Sequence, residues 1–335
     1  MKIIVDGMGG DHAPREIVRG SVKAVLDYNI DITLIGDRKC LEAELQKQNA
    51  PMDRFHLISA SQVITMEDSP VAAIRKKSDS SIVKGLELVR ESPDRVLISA
   101  GATGALLAGG MLKVGRIRGI DRPALASILP NRKGGTLLLD MGANTECKPE
   151  NLAQFAAMGT IYMERVLGRP HPTVGLLNVG TERTKGSGLY RSAYQLLEKR
   201  KGIRFQGNVE AREIPGGAVD VLVCDGFTGN VILKYTEGLA FSFLEMMREE
   251  PKQAPASEPS GNSFLKSGLA GFRKRMDYTE VGGAPLLGIR GGIIKAHGSS
   301  NATAIKNAIY QGILYLKNGV LERIQDAVSD QEGKR

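Results

Sequence analysis

The sequence predicts a wound α/β fold, in which helices cover both faces of a mostly parallel sheet. Short apolar runs rich in β-branched residues alternate with amphipathic stretches of helical period along the 335 residues. Strands that alternate with helices at this spacing pair in parallel through crossover connections. The 40 glycines follow no collagen-like repeat, which predicts many tight turns and loops whose backbone lines a ligand.

The individual elements follow from this alternation in chain order. Strands are predicted where apolar runs lie between turn residues, at 3–5, 32–35, 55–58, 95–98, 137–139, 174–177 and 219–223. Helices are predicted between them, at 16–28, 40–48, 80–90, 103–114, 149–167, 188–201, 228–248 and 301–328. Pro149 occupies the first turn of its helix, where the missing N–H of proline costs nothing. The length allows two domains, but we expect one α/β domain over 1–335.

One segment interrupts the alternation, and we expect it to protrude from the body near 240–276. Pro, Ser and Ala dominate 251–263, which is typical of a linker or loop tip. The following stretch repeats apolar residues at helical spacing: Leu265, Leu269, Phe272 and Met276. The region 251–276 has five basic residues and one acidic residue, so its helix suits an anionic membrane surface. Packing against the body or a dimer partner explains the same stripe.

Composition narrows the classes of function. The net charge of +8 serves solubility or indicates an acidic partner, such as anionic lipid, a phosphate-bearing substrate or an acidic protein. The absence of Trp and the 5% aromatic content argue against stacking on single-stranded nucleic acid. No apolar run reaches the roughly 20 residues that span a bilayer, and the first residues enter a strand directly. We therefore expect a cytoplasmic protein.

Metal and nucleotide motifs are missing. Cys40, Cys147 and Cys224 have neither disulfide nor zinc-ligand spacing, so no metal is expected. No G-x-G-x-x-G follows the first strand, and 180–187 has Lys-Gly-Ser where a phosphate-binding P-loop requires Gly-Lys-Ser. A serine acyl-enzyme lacks its G-x-S-x-G turn. No cofactor is expected.

Five predicted strands end in loops of similar composition, which combine glycine with Asp, Asn, Ser or Thr. They lie at 6–12, 99–105, 140–145, 178–182 and 225–230. Ligands of open α/β sheets bind beyond the carboxyl ends of strands, where glycine lets backbone N–H groups approach an anion. Any single loop is explained by an ordinary turn with a helix cap, but five together favour an anion site. His12 and His297 follow or adjoin such loops, and His297 precedes Ser300, a candidate helix cap.

These residues resemble the PlsX family, the phosphate acyltransferases of bacterial phospholipid synthesis. The matching stretches run through the chain in the family's order: VDGMGGDHAP (5–14), SPVAAIRKKSDSS (69–81), GATGA (101–105), GIDRPAL (119–125), LLDMGAN (138–144), KPENLAQFAAMG (148–159), GLLNVGTE (175–182), GNVEARE (207–213), VCDGFTGNVILK (223–234) and IIKAHGSSNA (293–302). The family usually has Asn where this chain has Ala102, so an amide contact there is missing or supplied elsewhere.

The resemblance implies transfer of a fatty acyl group from acyl carrier protein to inorganic phosphate, which gives acyl phosphate for a glycerol-3-phosphate acyltransferase. It implies a fold like that of isocitrate and isopropylmalate dehydrogenases and of phosphate acetyltransferase. It also implies a homodimer that associates peripherally with the inner face of the cell membrane. That association favours lipid contact by Phe264, Leu265, Leu269 and Phe272. A dehydrogenase or an acetyl-transferring enzyme on this fold, and a basic membrane or nucleic-acid scaffold, are the alternatives.

The expected site residues follow from the resemblance and the loops together. Lys185 and Asn230 are predicted to stabilise the thioester oxyanion, while Asp225, His12 and His297 support or orient. A solvated loop cation explains Lys185 equally simply, and helix capping explains Asn230 and Asp225. The phosphate and the acyl end are predicted to contact Gly9, Gly10, Asp11, Gly101, Thr103, Gly104, Asn144, Thr181, Gly229, Ser299 and Ser300. The acidic carrier is predicted to contact a basic surface formed by Arg75, Lys76, Lys77, Lys113, Arg116 and Arg118. The alternative is that these residues form an ordinary solvated face.

Overall fold

The computed structural model describes residues 1–249 and 282–332 of the chain. The predicted membrane-contact residues Phe264, Leu265, Leu269 and Phe272 lie outside the described residues, as does the whole of the protruding segment predicted over 250–276. No helix within the two described ranges combines the length and the apolar character needed to span a bilayer.

The described strands form one mixed sheet. Its strands are β1 (Lys2–Asp6), β2 (Ile32–Gly36), β3 (Phe55–Ser59), β4 (Arg95–Ser99), β5 (Ala124–Leu129), β6 (Thr136–Leu139), β7 (Thr173–Leu177), β8 (Arg204–Val209), β9 (Val221–Val223), β10 (Ala284–Leu287) and β11 (Gly292–Lys295). Their spatial order is β3-β2-β1-β4-β11-β10-β5-β6-β9-β7-β8. Pairing is parallel except for the contacts β11–β10, β10–β5 and β5–β6. The predicted wound, mostly parallel α/β fold is confirmed.

Helices pack on both faces of this sheet. They are α1 (Arg15–Tyr28), α2 (Arg38–Lys47), α3 (Pro70–Lys76), α4 (Ser81–Glu91), α5 (Thr103–Gly109), α6 (Pro149–Arg165), α7 (Gly188–Lys199), α8 (Gly226–Glu249), α9 (Ala302–Lys317) and α10 (Val320–Glu332). A π-helical turn, Gly110–Val114, extends α5. Alternation along β1 shows the two layers: Ile3 and Val5 pack with residues of α1 and α9, whereas Ile4 packs with residues of α4 and α5.

Several elements differ from the prediction. The single helix predicted at 301–328 is wrong, because α9 ends at Lys317 and α10 begins at Val320. Gly319 between them has a φ of +58°, a left-handed conformation that glycine adopts without strain. The sequence pattern also missed α3 and four strands, among them the antiparallel pair β10 and β11 that joins the two halves of the sheet.

Candidate active site

A cleft of about 490 Å³ lies where the loops after β1, β4, β6 and β11 meet the first turns of α8. Its polar lining includes Asp11, Thr103, Asn230, Lys234, Glu237, Lys295 and His297. Its apolar lining, called the apolar wall below, includes Leu125, Ile128, Leu129, Pro130, Met141, Leu233 and Ala240. A cleft of this composition can hold an anionic group beside a hydrocarbon chain.

The loop after β1 is built on a buried carboxylate. Asp6 is fully buried, and it accepts hydrogen bonds from Ser99 Oγ at 2.6 Å and from the Met8 amide at 3.1 Å. Burial raises the pKa of the Asp6 carboxyl, and these hydrogen bonds oppose the rise. Gly9 lies so close to this carboxylate that an added Cβ would overlap Asp6 and stand 2.7 Å from the Gly101 amide nitrogen. Gly9, which is predicted to bind phosphate, is therefore also required for the packing of this loop.

The loop after β6 follows the same plan. Asp140 is fully buried and accepts hydrogen bonds from the amides of Asn144 at 2.6 Å and Leu125 at 3.0 Å. The Asn144 side chain donates to Asp140 at 2.9 Å and to the Pro123 carbonyl at 2.7 Å. Asn144, predicted to contact substrate, therefore donates its amide within the protein. Burial raises the pKa of Asp140, as it does for Asp6.

Asp225 and Asn230 begin α8 at the cleft. Asp225 accepts from the Thr228 amide and hydroxyl, both at 2.9 Å, and from the Tyr190 hydroxyl at 2.5 Å. It thus caps the helix, while burial raises the pKa of the Tyr190 phenol and keeps it a donor. Asn230, one turn further along, lines the cleft itself beside Gly142. Asn230 therefore lines the cleft, whereas Asp225 lies outside the cleft lining and caps α8.

Gly229 permits this arrangement. A Cβ at position 229 would overlap the carbonyl oxygen of Asp140 and stand 3.0 Å from Cys224 Sγ. The first turn of α8 can approach the end of β6 this closely only without a side chain. Cys224 is fully buried there, and burial raises the pKa of its thiol well above the ordinary value, which makes it a poor nucleophile.

The loop after β11 brings His297 to the cleft. Its Nδ1 lies 2.8 Å from Ser299 Oγ and accepts from the Ser299 amide at 3.3 Å. The expected cap of the last helix at Ser300 is wrong, because Asn301 caps α9 by accepting from the Ala304 amide at 3.0 Å. Glu16 of α1 accepts from the Ala302 amide at 2.9 Å, so carboxylate and amide oxygens already occupy this helix end.

Of the sixteen residues predicted for catalysis and for phosphate or acyl binding, four line the cleft: Asp11, Thr103, Asn230 and His297. The other twelve lie outside its lining: Gly9, Gly10, His12, Gly101, Gly104, Asn144, Thr181, Lys185, Asp225, Gly229, Ser299 and Ser300. The Lys185 side chain is 50% exposed in the loop after β7, and its ammonium stands 3.9 Å from Glu182 Oε1. Thr181 is exposed in the same loop, and His12 is exposed at the start of α1. Gly101 and Gly104 pack closely on Ile82 and Pro70, respectively. A catalytic role for Lys185 therefore stays a prediction that requires the loop 178–187 to approach the cleft.

Lys295 is the site residue that sequence reasoning missed. It ends β11, is 9% exposed and belongs to the cleft lining. Burial lowers the pKa of its ammonium to about 8, while Asp11 and Asp6 favour the charged form. A signal was present, since a lysine that closes the run Gly-Gly-Ile-Ile is unusual for a buried strand.

The predicted carrier contacts divide into paired and exposed groups. Lys77 binds Asp68 at 2.6 Å and Lys113 binds Glu87 at 2.9 Å, which leaves both committed to ion pairs. Arg116 donates to the Asp121 carbonyl, and Arg118 is exposed. Arg75 and Lys76 are exposed in the last turn of α3. Pro70 at the start of α3 contacts the Gly104 region of α5, next to Thr103 of the cleft lining, and this exposed pair lies at the other end of the same short helix.

Ala102, where a family amide was expected, caps α5 without a side-chain hydrogen bond and is buried. In residues 1–249 and 282–332, no group of three or more His, Cys, Asp or Glu side chains is arranged to hold a metal ion.

Comparison with known proteins places this chain in a family. A family model described as "Fatty acid synthesis protein" matches residues 1–323. The phosphate acyltransferase of Alkaliphilus oremlandii is 54% identical over 329 residues, which cover 98% of each chain. That of Clostridioides difficile is 48% identical over 330 residues, which cover 98% of this chain and 96% of the relative.

Solved structures agree on the fold. A EutD phosphotransacetylase from Staphylococcus aureus matches with a TM-score of 0.61 at 14% identity, over 94% of each chain. A putative 4-hydroxythreonine-4-phosphate dehydrogenase from Salmonella typhimurium matches with a TM-score of 0.51 at 12% identity, over 93% of this chain and 98% of that one. The expected likeness to phosphate acetyltransferase and dehydrogenase folds is thus confirmed, and the chain belongs to the PlsX family.

Proposed function

We propose that this chain transfers a fatty acyl group from the thioester of acyl carrier protein to inorganic phosphate, and so makes acyl phosphate for phospholipid synthesis. The observation that carries the proposal is the mixed lining of the cleft, which combines the polar residues Asn230, Lys295 and His297 with an apolar wall, in a chain whose relatives are named phosphate acyltransferase.

The chemistry requires little beyond positioning and charge stabilisation. A phosphate oxygen attacks the thioester carbonyl carbon, a C–O bond forms, and the carbonyl oxygen becomes an oxyanion. The C–S bond then breaks, and the sulfur leaves with the electron pair and takes a proton from solvent. Phosphate is already an anion at neutral pH, so no activated side-chain nucleophile is needed. Asn230 lines the cleft, and its amide is proposed to donate to the oxyanion, with Lys185 as the predicted second donor.

The apolar wall favours a fatty chain over acetyl. Burying each methylene stabilises a complex by about 0.8 kcal/mol, and Leu125, Ile128, Leu129 and Leu233 provide surface that an acetyl group would not reach. We expect kcat/KM to rise with acyl length until the wall is covered.

Phosphate-dependent release of free thiol from purified acyl carrier thioester tests the proposal directly. After the remaining carrier thioester is removed, hydroxylamine converts acyl phosphate to a hydroxamate and leaves free fatty acid unchanged, so it distinguishes the two products. Acetyl thioesters run in parallel test an acetyl-transferring enzyme, and titration with a nicotinamide cofactor tests a dehydrogenase. If orthophosphate does not stimulate thiol release, the proposed function is wrong.

The exposed pair Arg75 and Lys76 is proposed to steer the acidic carrier. Exchanging both for Glu is expected to raise the KM for acyl carrier protein several-fold at low salt, because like charges then repel. The effect should shrink at 0.5 M salt, where screening is strong. The charge-matched pair Lys199→Glu and Lys201→Glu, on exposed residues at the end of α7, serves as control. If the KM for acyl carrier protein changes neither with salt nor on exchange of Arg75 and Lys76, steering by this pair is contradicted.

A homodimer and peripheral membrane contact complete the proposal. Helix α8 exposes large apolar side chains along its length, at Phe227, Val231, Tyr235, Leu239, Phe241 and Met246. Such a continuous exposed patch is typical of an interaction surface. Light scattering measures the oligomer, and sedimentation with anionic vesicles measures lipid binding. Acyl phosphate is a reactive mixed anhydride, so an acyl-phosphate-using glycerol-3-phosphate acyltransferase is the expected next enzyme.

A further inference from the structure

Lys295 is an unusual residue for the middle of a sheet. In residues 1–243 and 282–329, it is the only Lys or Arg that is buried. Its strand lies between β4 and β10, in register with Ser99 on one side and Ala284 on the other. Burying an ammonium is costly unless a partner compensates for the lost water. We therefore expect a partner that compensates for the buried charge at this position.

The protein itself provides incomplete compensation. An ammonium has three donors, and within the described chain the Lys295 Nζ donates to one acceptor, the carbonyl oxygen of Ala296. Asp6, the nearby buried carboxylate, is already engaged by Ser99 Oγ and the Met8 amide. The charged or titratable groups that face Lys295 from the surrounding elements are Asp6, Asp11, His297, Lys234 and Glu237.

The cleft offers the missing partner. Lys295 lines the cleft beside its strand partner Ala284, and Leu125 of the apolar wall lines the same cleft. An anion bound by Lys295 would therefore share the cleft with an acyl group seated against the apolar wall. Lysine binds phosphate as a compact point charge, and the interaction is strong where water is excluded.

We propose that Lys295 binds the attacking phosphate and holds it beside the acyl carbonyl. The inference rests on the proposed function and adds to it the residue that recognises the nucleophile. The bound anion pairs with the buried ammonium and thereby offsets its burial. If Lys295 binds phosphate in this way, its loss weakens phosphate binding and leaves the affinity for acyl carrier protein unchanged.

The first test exchanges Lys295 for Met, which has similar length and no charge. An apolar residue at a buried charged site leaves a fold about as stable or more stable, so Lys295→Met is expected to fold, and a thermal melt verifies this. The KM for phosphate should rise about 10- to 100-fold, the usual effect of losing a hydrogen bond to a charged group. Lys23→Met, on an exposed residue of α1, is the matched control with an unchanged KM.

The second test uses pH and direct binding of inorganic phosphate, measured by calorimetry. Because the pKa of Lys295 is lowered to about 8, the ammonium loses its proton as pH rises through 8 to 9.5. Over this interval phosphate remains a dianion, and its affinity for the wild type should fall by up to tenfold per pH unit. In Lys295→Met the affinity should be weak and independent of pH.

The outcomes separate the alternatives. If Lys295→Met lowers kcat while phosphate affinity and KM are unchanged, Lys295 acts on the leaving thiolate instead, and the inference is overturned. If phosphate affinity is the same in both proteins at every pH, it is overturned as well. Either result leaves the proposed function intact when the wild type still releases thiol with phosphate. Failure of that wild-type reaction overturns the proposed function itself.

Discussion

Exchanging Asn230 for Ala is expected to lower kcat by about 10²–10³ with little change in KM, the usual effect of removing one oxyanion donor. The amide lies in the cleft lining, where it can approach the thioester oxygen as negative charge develops. Lys185→Ala is expected to cause a loss of the same size if its loop closes over the substrate. Phosphate-dependent thiol release from acyl carrier thioester measures both.

Two controls make these results specific. Asn230→Asp keeps the shape of the side chain but replaces its donor with a carboxylate, so it should be at least as inactive as Asn230→Ala. Lys201→Ala removes another exposed lysine and should retain full activity. A kcat within twofold of wild type for Lys185→Ala would exclude its ammonium from the reaction, in agreement with its 50% exposure beside Glu182. The same value for Asn230→Ala would refute the oxyanion assignment.

Gly229→Ala is expected to cost about 3 kcal/mol or more in the free energy of unfolding, because overpacking against backbone cannot be relieved by a side-chain rotation. The new methyl group would overlap the Asp140 carbonyl oxygen and displace the first turn of α8. Asn230 is the next residue, so activity should fall in the protein that still folds. Urea unfolding followed by circular dichroism measures the loss.

Gly238→Ala in the same helix is the matched control. Nothing lies within 4 Å of a Cβ at that position, and alanine replaces glycine in a helix interior with a gain of about 1 kcal/mol. The two substitutions should therefore shift the unfolding midpoint in opposite directions. An unchanged midpoint for Gly229→Ala would show that α8 tolerates a wider separation from β6.

The alternation of strands and helices was predictable from sequence because buried parallel strands are short, continuous apolar runs. Val5, Leu97 and Leu139 each sit in such a run, and each is fully buried in the sheet. The strand-end loops were predictable for the same reason, since a parallel sheet collects the carboxyl ends of its strands. Asn230, Thr103, Asp11 and His297 accordingly meet at one cleft.

The antiparallel centre was not predictable in this way. Strands β10 and β11 are four residues each, Pro285 interrupts one of them, and glycines surround both. Their strand character comes from tertiary pairing with β5 and β4, which local pattern does not carry. Lys295 was missed with its strand. Its approach to Asp6 and Asp11 joins residues nearly three hundred positions apart in sequence.

The unbroken sheet has a mechanical consequence. Strands β4 and β6 on either side of the cleft are joined through β11, β10 and β5 by backbone hydrogen bonds. Separating the two halves of the sheet would break these hydrogen bonds, whereas Met66 and Met141 in the cleft lining can change rotamer at little cost. We therefore expect the cleft to adapt to acyl chains of different length through its side chains rather than through movement of the sheet.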